Sequence, residues 1–229
     1  VQTCALPISS ELLHHLDWDR LTAVLPKCLI GFSDVSALQS AVFTRLGWSS
    51  LHAPMPGSPL WQSGAATERL IHLLCAPRGT TWSGEIAVEG ISSTDSEVSG
   101  PLFGGCLSVL SGLIGTPYLP KSLHGGLLFF EDTGESAPRV LRYWRQWLDS
   151  GLLEGVGGVV FGRFTQMKDD ADEKWLLREM ASRTPCPAWA SPDFGHVPGN
   201  LPLGVGSVGR ITNHQLRWQL DRSFGAICV

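Results

Sequence analysis

Short continuous runs of apolar residues alternate along the chain with segments in which apolar positions repeat at the helical period. The continuous runs are residues 27–32, 125–130 and 156–164, and polar or turn-forming residues bound each of them. Apolar runs of this length between turn residues are typical of buried strands. The pattern therefore predicts a buried strand at each run.

Apolar positions spaced by three or four residues predict helices between and around these strands. The helical segments are 11–25 with an interruption at 16–19, 35–46, 67–74, the stretch from 132 to 148, and 174–180. A further helix is expected within 102–114, after Gly104 and Gly105. Gly47 directly follows the segment 35–46 and is its expected C-cap.

The remaining segments complete the predicted architecture. Residues 48–64, rich in Pro, Gly and Ser, are expected to be a connector, 82–90 a strand with a turn, and the tail from Leu203 closing strands. Strands that alternate with helices predict an α/β fold with a mostly parallel sheet.

Composition limits the size and class of the protein. The chain has 229 residues, which at roughly 150 residues per domain suggests one large or two small domains. A charged fraction of 17% beside 43% hydrophobic residues excludes disorder and a coiled coil. The net charge of −4, without a basic run, disfavours nucleic acid and anionic membrane surfaces as partners. No apolar stretch approaches the roughly 20 residues of a membrane span.

Cysteine usage and the chain start bear on the compartment. The six cysteines form no CxxC pair, which favours reduced thiols in the cytoplasm. No basic segment followed by an apolar one opens the chain, so a secretory signal is not expected. Residues 1–8 (VQTCALPI) read like a translated sequencing adapter without an initiator Met, and genuine residues are expected to begin near Ser9.

Ser33 is the first candidate for chemistry. It lies in Gly31-Phe32-Ser33-Asp34, where a buried strand turns abruptly into a helix. A hydroxyl in such a turn projects at the carboxyl end of the strand, and free N–H groups at the helix start can stabilise an oxyanion. The alternative is an ordinary N-cap. A nucleophile elbow usually has Gly two residues after the serine, where this chain has Val35.

An acid and a histidine are the next candidates. Glu131 follows the apolar run 125–130, at the strand end where ligands gather in α/β sheets, and such a carboxylate can orient an imidazole. The alternative is a solvated acid at the start of the next helix, and Glu135 is a nearby rival. His196 lies in a loop between Pro192 and Pro198, as a general base or a surface residue.

Metal and nucleotide sites are not expected. The other histidines have no HxH or HxxxH spacing and no metal-site partner among the cysteines; they are His14, His15, His52, His72, His124 and His214. No GxxxxGK[ST] motif occurs, and the glycines of 155–158 precede a strand instead of following one. The sequence therefore predicts neither a metal nor a cofactor.

Ordered motifs then give a resemblance. The segments GFSDVSAL (31–38), LLFFEDTGE (127–135), GLLEGVGGVVFGRF (151–164) and DFGHVPGNLPLG (193–204) resemble the LD-carboxypeptidase family of serine peptidases, the muramoyltetrapeptide carboxypeptidases. The resemblance covers essentially all of 11–220. It implies Ser33 as nucleophile, Glu131 as acid, His196 as base and the N–H of Asp34 as oxyanion donor.

The resemblance also implies a domain organisation. An N-terminal α/β domain would carry the nucleophile elbow and a C-terminal α/β domain the acid and the base. Residues 9–78 would be the remainder of the N-terminal domain with a linker, and 79–229 the C-terminal domain. The family's upstream Gly-Gly-Tyr-Gly loop has no counterpart here, so residues 9–229 alone are expected to be inactive. Cys106 stands where many relatives have Asn.

The implied activity is release of the terminal D-alanine from muramyl tetrapeptides in cell-wall recycling, by cleavage of an L,D-peptide bond. The implied setting is the bacterial cytoplasm, with the tetrapeptide as the partner and a homodimer as the assembly. Two alternatives stay open. One is a self-immunity peptidase of the same family that cleaves peptidyl-nucleotide antibiotics, and the other is a non-catalytic peptide-binding or scaffold domain.

Overall fold

The computed structural model describes residues 8–62, 64–77, 79–92 and 97–221. The helices are α1 (Ile8–Leu12), α2 (Trp18–Thr22), α3 (Val35–Leu46), α4 (Ala65–Cys75), α5 (Leu107–Ser111), α6 (Ala137–Asp149) and α7 (Glu173–Arg183). The strands are β1 (Leu29–Gly31), β2 (Ser50–His52), β3 (Trp82–Ala87), β4 (Glu89–Gly90), β5 (Val98–Cys106), β6 (Leu127–Thr133), β7 (Gly158–Thr165), β8 (Ala188–Ala190), β9 (Leu203–Val205), β10 (Val208–Thr212) and β11 (Gln215–Leu220). No helix in these ranges is long and apolar enough to cross a membrane.

A small sheet is built from the two ends of the described chain. Its order is β1-β2-β9, with β1 and β2 parallel and β9 antiparallel to β2. The strand β9 thus joins residues near 204 to the pair of strands on either side of α3. The predicted helix 35–46 is confirmed, and Gly47 ends it at φ 66° with its N–H bonded to the Phe43 carbonyl.

The larger sheet has eight strands in the order β3-β11-β10-β5-β6-β7-β8-β4. The α/β fold is therefore confirmed, but the expectation of a mostly parallel sheet is wrong. Only β5, β6, β7 and β8 run parallel, and every other pairing in this sheet is antiparallel. One of these antiparallel pairs, β10 with β11, is a hairpin whose two-residue turn is Asn213 and His214, both at positive φ.

Several strands were missed by the sequence pattern. The strands β2 and β8 are three residues long, and β2 lies in the predicted connector 48–64. The strand β5 runs through Gly104 and Gly105 to Cys106, so the helix expected within 102–114 covers only Leu107–Ser111. A Cβ at Gly104 would lie 1.8 Å from the Phe129 carbonyl oxygen, and the glycine is thus needed for β5 to approach β6.

Aromatic packing fixes β6 in the core. On α6, Trp144 and Trp147 are fully buried and lie edge-on to Phe130 of β6, at 5.6 and 4.8 Å between ring centroids. The indole of Trp144 donates to the Met180 carbonyl at 3.1 Å, and that of Trp147 donates to Ser111 Oγ at 3.0 Å. Both indole rings pack against Phe130, and both indole N–H groups are hydrogen-bonded. The carboxyl end of β6 is therefore held rigidly.

The helix α3 connects the small sheet to the large one. Its buried Ser36 accepts a hydrogen bond from the Cys106 N–H at 3.0 Å, and Ser40 donates to the Tyr118 carbonyl at 2.7 Å. A Cβ at Gly105 would lie 2.6 Å from Ser36 Oγ, so the backbone at the end of β5 touches the first turn of α3. The turn that precedes α3 is thereby brought to the carboxyl ends of β5 and β6.

The junction of β1 and α3 gives a testable prediction. A Cβ added at Gly31 would lie 2.5 Å from Val35 Cγ1, so Gly31→Ala should lower the free energy of unfolding by about 1–3 kcal/mol through overpacking. Urea denaturation measures the loss. In a Val35→Ala background the same change should cost much less, because the clashing methyl groups are gone. An equal loss in both backgrounds would contradict this packing.

Candidate active site

The turn at Ser33 has a strained backbone. Ser33 has φ 59°, in the left-handed region that non-glycine residues seldom adopt. Its carbonyl accepts from the Ser36 N–H at 2.9 Å, and α3 begins at Val35. Among the described residues, the Ser33 hydroxyl oxygen accepts no N–H bond that would cap this helix. The side chain of Val35 packs directly over Gly31, where a Cβ would clash with it. The small residue that permits the sharp turn is therefore Gly31, two residues before the serine.

The backbone after Ser33 offers an N–H donor. The N–H groups of Val35 and Ser36 are used within the turn, by the carbonyls of Phe32 and Ser33. Within the described residues, the Asp34 N–H donates to no protein acceptor. The Asp34 carboxylate is engaged elsewhere, since its Oδ2 accepts from the Ser9 N–H at 3.0 Å. The predicted oxyanion donor is therefore free to bind a ligand oxygen.

Glu131 and His196 are directly bonded across the site. The Glu131 Oε2 and His196 Nδ1 atoms lie 2.6 Å apart, with the Glu131 side chain fully buried and the His196 side chain 14% exposed. Glu131 lies within β6, so it is not the solvated first-turn acid of the alternative interpretation. An ionised carboxylate only accepts hydrogen bonds, so His196 carries its proton on Nδ1 and leaves Nε2 available as a base.

Electrostatics favour the ionised carboxylate. Burial raises the pKa of Glu131, but the hydrogen bond from His196 and the closeness of the His196 and His52 rings outweigh it and lower the pKa to about 2. For His196, burial lowers the pKa, but the hydrogen bond and charge of Glu131 prevail and raise it. Each group therefore stabilises the charged form of the other.

The loop that carries His196 is held against β7. The Arg163 N–H donates to the Phe194 carbonyl at 3.0 Å, and the Gly195 N–H donates to Asn200 Oδ1 at 3.2 Å. The register between β6 and β7 shifts at this point, and Phe194 packs over Gly162, where a Cβ would lie 2.5 Å from its ring. The bulge thus makes room for the ring that anchors the histidine loop.

Phe32 brings the serine turn to the histidine. Its ring lies 4.9 Å from that of His196, edge to face, and Ser33 is the next residue along the chain. The structure therefore gathers Ser33, Glu131 and His196, which lie far apart in sequence, around one region at the strand ends.

The neighbouring acids do not face His196. Glu135 pairs with Arg139, one turn along, at 2.9 Å. Asp132 accepts from the Ser108 N–H at 2.7 Å and from the Thr133 N–H at 2.9 Å, which fixes the start of α5. Burial and the charge of Glu131 raise the pKa of Asp132 to about 6.

His52 is the residue that sequence reasoning missed at this site. It ends β2, is fully buried, and places Nε2 3.6 Å from Glu131 Oε1. In the sequence, His52 follows the apolar Leu51 and precedes Ala53-Pro54, as a residue at the end of a buried strand would. That strand has only three residues, which is too short for its periodicity to be recognised.

Two family models match the chain, one on each side of residues 54–98. The family model of the LD-carboxypeptidase N-terminal domain matches residues 8–53, and that of the C-terminal domain matches residues 99–211. A murein tetrapeptide carboxypeptidase of Pseudomonas aeruginosa is 32% identical over 216 residues, covering 91% of this chain and 70% of the relative. The chain belongs to the LD-carboxypeptidase family. Both matched domains carry part of the site, Ser33 in the first and Glu131 with His196 in the second.

Two further relatives match by sequence, and one solved structure matches in fold. A putative carboxypeptidase of Streptomyces coelicolor is 39% identical over 214 residues, which cover 93% of this chain and 67% of the relative. The crystal structure of a muramoyltetrapeptide carboxypeptidase from Oxalobacter formigenes matches with a TM-score of 0.77 at 27% identity, covering 92% of this chain and 73% of that one. The microcin C7 self-immunity protein of Escherichia coli is 25% identical, covering 86% of this chain and 66% of the relative.

The Glu131–His196 pair predicts a titration shift. In the intact protein, nuclear magnetic resonance should place the His196 pKa above its ordinary value of 6.5, because the neighbouring carboxylate favours the imidazolium. Glu131→Gln removes that charge while burial remains, so the pKa should fall below 6.5. The matched control Glu135→Gln should leave the titration unchanged. An unshifted His196 pKa in Glu131→Gln would contradict the pairing.

Proposed function

We propose that this protein is a serine carboxypeptidase that hydrolyses the L,D-peptide bond before the terminal D-alanine of muramyl tetrapeptides. The observation that carries the proposal is the buried Glu131–His196 bond beside a serine in a left-handed strand-to-helix turn. The 32% identical relative named a murein tetrapeptide carboxypeptidase supports the substrate class. Peptidoglycan recycling in the bacterial cytoplasm is the setting we propose for it.

The chemistry follows from the roles of the three side chains. His196 Nε2 takes the proton of the Ser33 hydroxyl as Oγ attacks the carbonyl carbon of the scissile bond. The resulting oxyanion accepts a hydrogen bond from the Asp34 N–H. His196 then gives the proton to the departing amino group of D-alanine, which leaves an acyl-enzyme at Ser33. Water, deprotonated by His196, releases the shortened peptide and restores the serine.

Glu131 makes this proton transfer favourable. Its low pKa keeps the carboxylate ionised throughout the neutral range, so it holds the ring by Nδ1 and stabilises the imidazolium that forms. In related triads, neutralising this acid lowers kcat by about four orders of magnitude, because the tautomer of the histidine is lost. The same dependence is expected here.

The second candidate is cleavage of a peptidyl-nucleotide antibiotic by the same mechanism. The 25% identical microcin C7 self-immunity protein favours it, as does the shared fold of its solved structures. The two candidates share the proposed triad and differ in the substrate. A non-catalytic peptide-binding domain is the third, and the strained serine beside a buried acid–base pair weighs against it.

The triad assignment predicts the loss of turnover on mutation. In the intact protein, Ser33→Ala and His196→Ala should each lower D-alanine release from muramyl tetrapeptide by several orders of magnitude, since triad members act as a unit whose loss costs on the order of 10⁶ in rate. Release is measured by chromatography of the products, with circular dichroism to verify folding. A Ser33→Ala enzyme that keeps a tenth of wild-type turnover would show that the serine is not the nucleophile.

Substrate stereochemistry gives a separate prediction. The proposed carboxypeptidase should cleave a tetrapeptide with an L-centre before D-alanine and leave the peptide with the inverted centre intact. A peptidyl-nucleotide should be cleaved far more slowly, as kcat/KM for each compound will show. Faster cleavage of the peptidyl-nucleotide would show that the antibiotic, and not the cell-wall peptide, is the substrate. The triad assignment would be unaffected.

A further inference from the structure

His52 lies behind the acid of the proposed triad, on the side opposite His196. It is fully buried, and within the described residues neither ring nitrogen has a hydrogen-bond partner. The Glu131 Oε1 atom is likewise buried without one. These atoms face each other, with His52 Nε2 3.6 Å from Glu131 Oε1, while Oε2 of the same carboxylate holds His196.

Aromatic rings enclose His52 on the other sides. Its ring lies edge to face with Phe32 at 6.4 Å, Phe129 at 5.4 Å and Phe194 at 6.5 Å. Phe32 directly precedes Ser33, and the other two rings stand two residues before Glu131 and His196 respectively. His52 therefore packs against all three segments that carry the proposed triad, and its ring reaches the Glu131 carboxylate.

The contact between His52 Nε2 and Glu131 Oε1 leaves two buried polar atoms side by side, but at 3.6 Å it is too long to be a formed hydrogen bond. A buried polar atom without a partner is costly, and N–H···O bonds have heavy-atom distances of about 2.7–3.2 Å. A movement of about half an ångström would bring His52 Nε2 and Glu131 Oε1 within hydrogen-bond distance, and catalytic hydrogen bonds that are long in the free enzyme often tighten when substrate binds.

We propose that His52 is a positioning residue that donates its Nε2–H to Glu131 Oε1 and thereby fixes the rotation of the carboxylate toward His196. The inference rests on the proposed function, since it assigns a support to the acid of that mechanism. Because a carboxylate only accepts, the proposal requires the Nε2–H form of His52. With Oε1 held, Oε2 stays aligned with His196 Nδ1 while the imidazolium forms.

Two substitutions separate this role from packing. His52→Phe keeps an aromatic ring in the cage but removes the donor, whereas His52→Gln keeps an N–H close to the Nε2 position. The matched control is Ser50→Ala on the same strand, since Ser50 is fully buried and its hydroxyl has no partner among the described residues. All variants are made in the intact protein and verified by circular dichroism.

The rate of serine labelling by a fluorophosphonate reports on the triad without a choice of peptide substrate. Ser33 Oγ attacks phosphorus, fluoride leaves, and His196 takes the proton. His52→Phe should slow labelling and lower kcat for the tetrapeptide by about 10- to 100-fold, as for a lost hydrogen bond to a charged group. KM should change little. His52→Gln should recover most of the rate, and Ser50→Ala should match wild type.

The pH profile distinguishes positioning from a general loss of stability. Protonation of His196 turns the Glu131 carboxylate and the neutral imidazole into an ion pair. Loss of the His52 donor destabilises the carboxylate beside neutral His196 more than it destabilises the ion pair. The pKa of His196 therefore rises in His52→Phe. The acidic limb of the labelling rate should therefore move to higher pH in His52→Phe and return in His52→Gln. Asp132 and Cys106, the other titratable groups beside Glu131, are the same in every variant.

Wild-type rates and an unmoved acidic limb in His52→Phe would overturn the proposal. If the variants do not fold, nitrogen nuclear magnetic resonance of the wild-type protein still decides it, because a neutral His52 with its proton on Nδ1 cannot donate from Nε2. Failure of the proposed function has a different signature. In that case the wild-type serine itself is not labelled, whereas the tautomer of His52 is measured independently of any reaction.

Discussion

The hydrogen bond between Glu131 and His196 is the interaction on which the arrangement of the site depends. A fully buried carboxylate is costly unless it is paired, and its partner lies 65 residues further along the chain. Packing contacts hold both partners of this hydrogen bond in place. Tryptophans of α6 hold the end of β6, and the bulge in β7 seats Phe194, which anchors the loop of His196. The charged form of each partner is stabilised as a result.

The serine reaches this pair through a second set of contacts. Ser33 is held at positive φ by a turn that Gly31 permits, and α3 continues from it into hydrogen bonds with Cys106 at the end of β5 and with Tyr118 in the loop between α5 and β6. The strained residue is thus supported by regular structure on both sides, which is how a protein sustains such strain at a site. Burial of Phe32 against His196 then sets the serine turn beside the base.

Much of this could be predicted from sequence, and the exceptions have physical reasons. The long buried strands around 127 and 158 and the helix ending at Gly47 are continuous or strongly periodic, so local pattern identifies them. The strands β2 and β8 are too short for periodicity, and β5 was hidden because its glycines, needed for contact with β6, read as a helix start. Ser33, Glu131 and His196 were named from strand ends and ordered motifs. His52 escaped because its importance lies in a tertiary contact with Glu131.

The central claim is that one serine, activated by the buried acid–base pair, is the nucleophile. Peptide mapping by mass spectrometry after treatment with a fluorophosphonate tests it most directly. We expect a single adduct on the peptide that contains Ser33 in the wild-type protein, and no adduct there in the His196→Ala variant. An adduct on another serine, or equal labelling of Ser33 without His196, would contradict it.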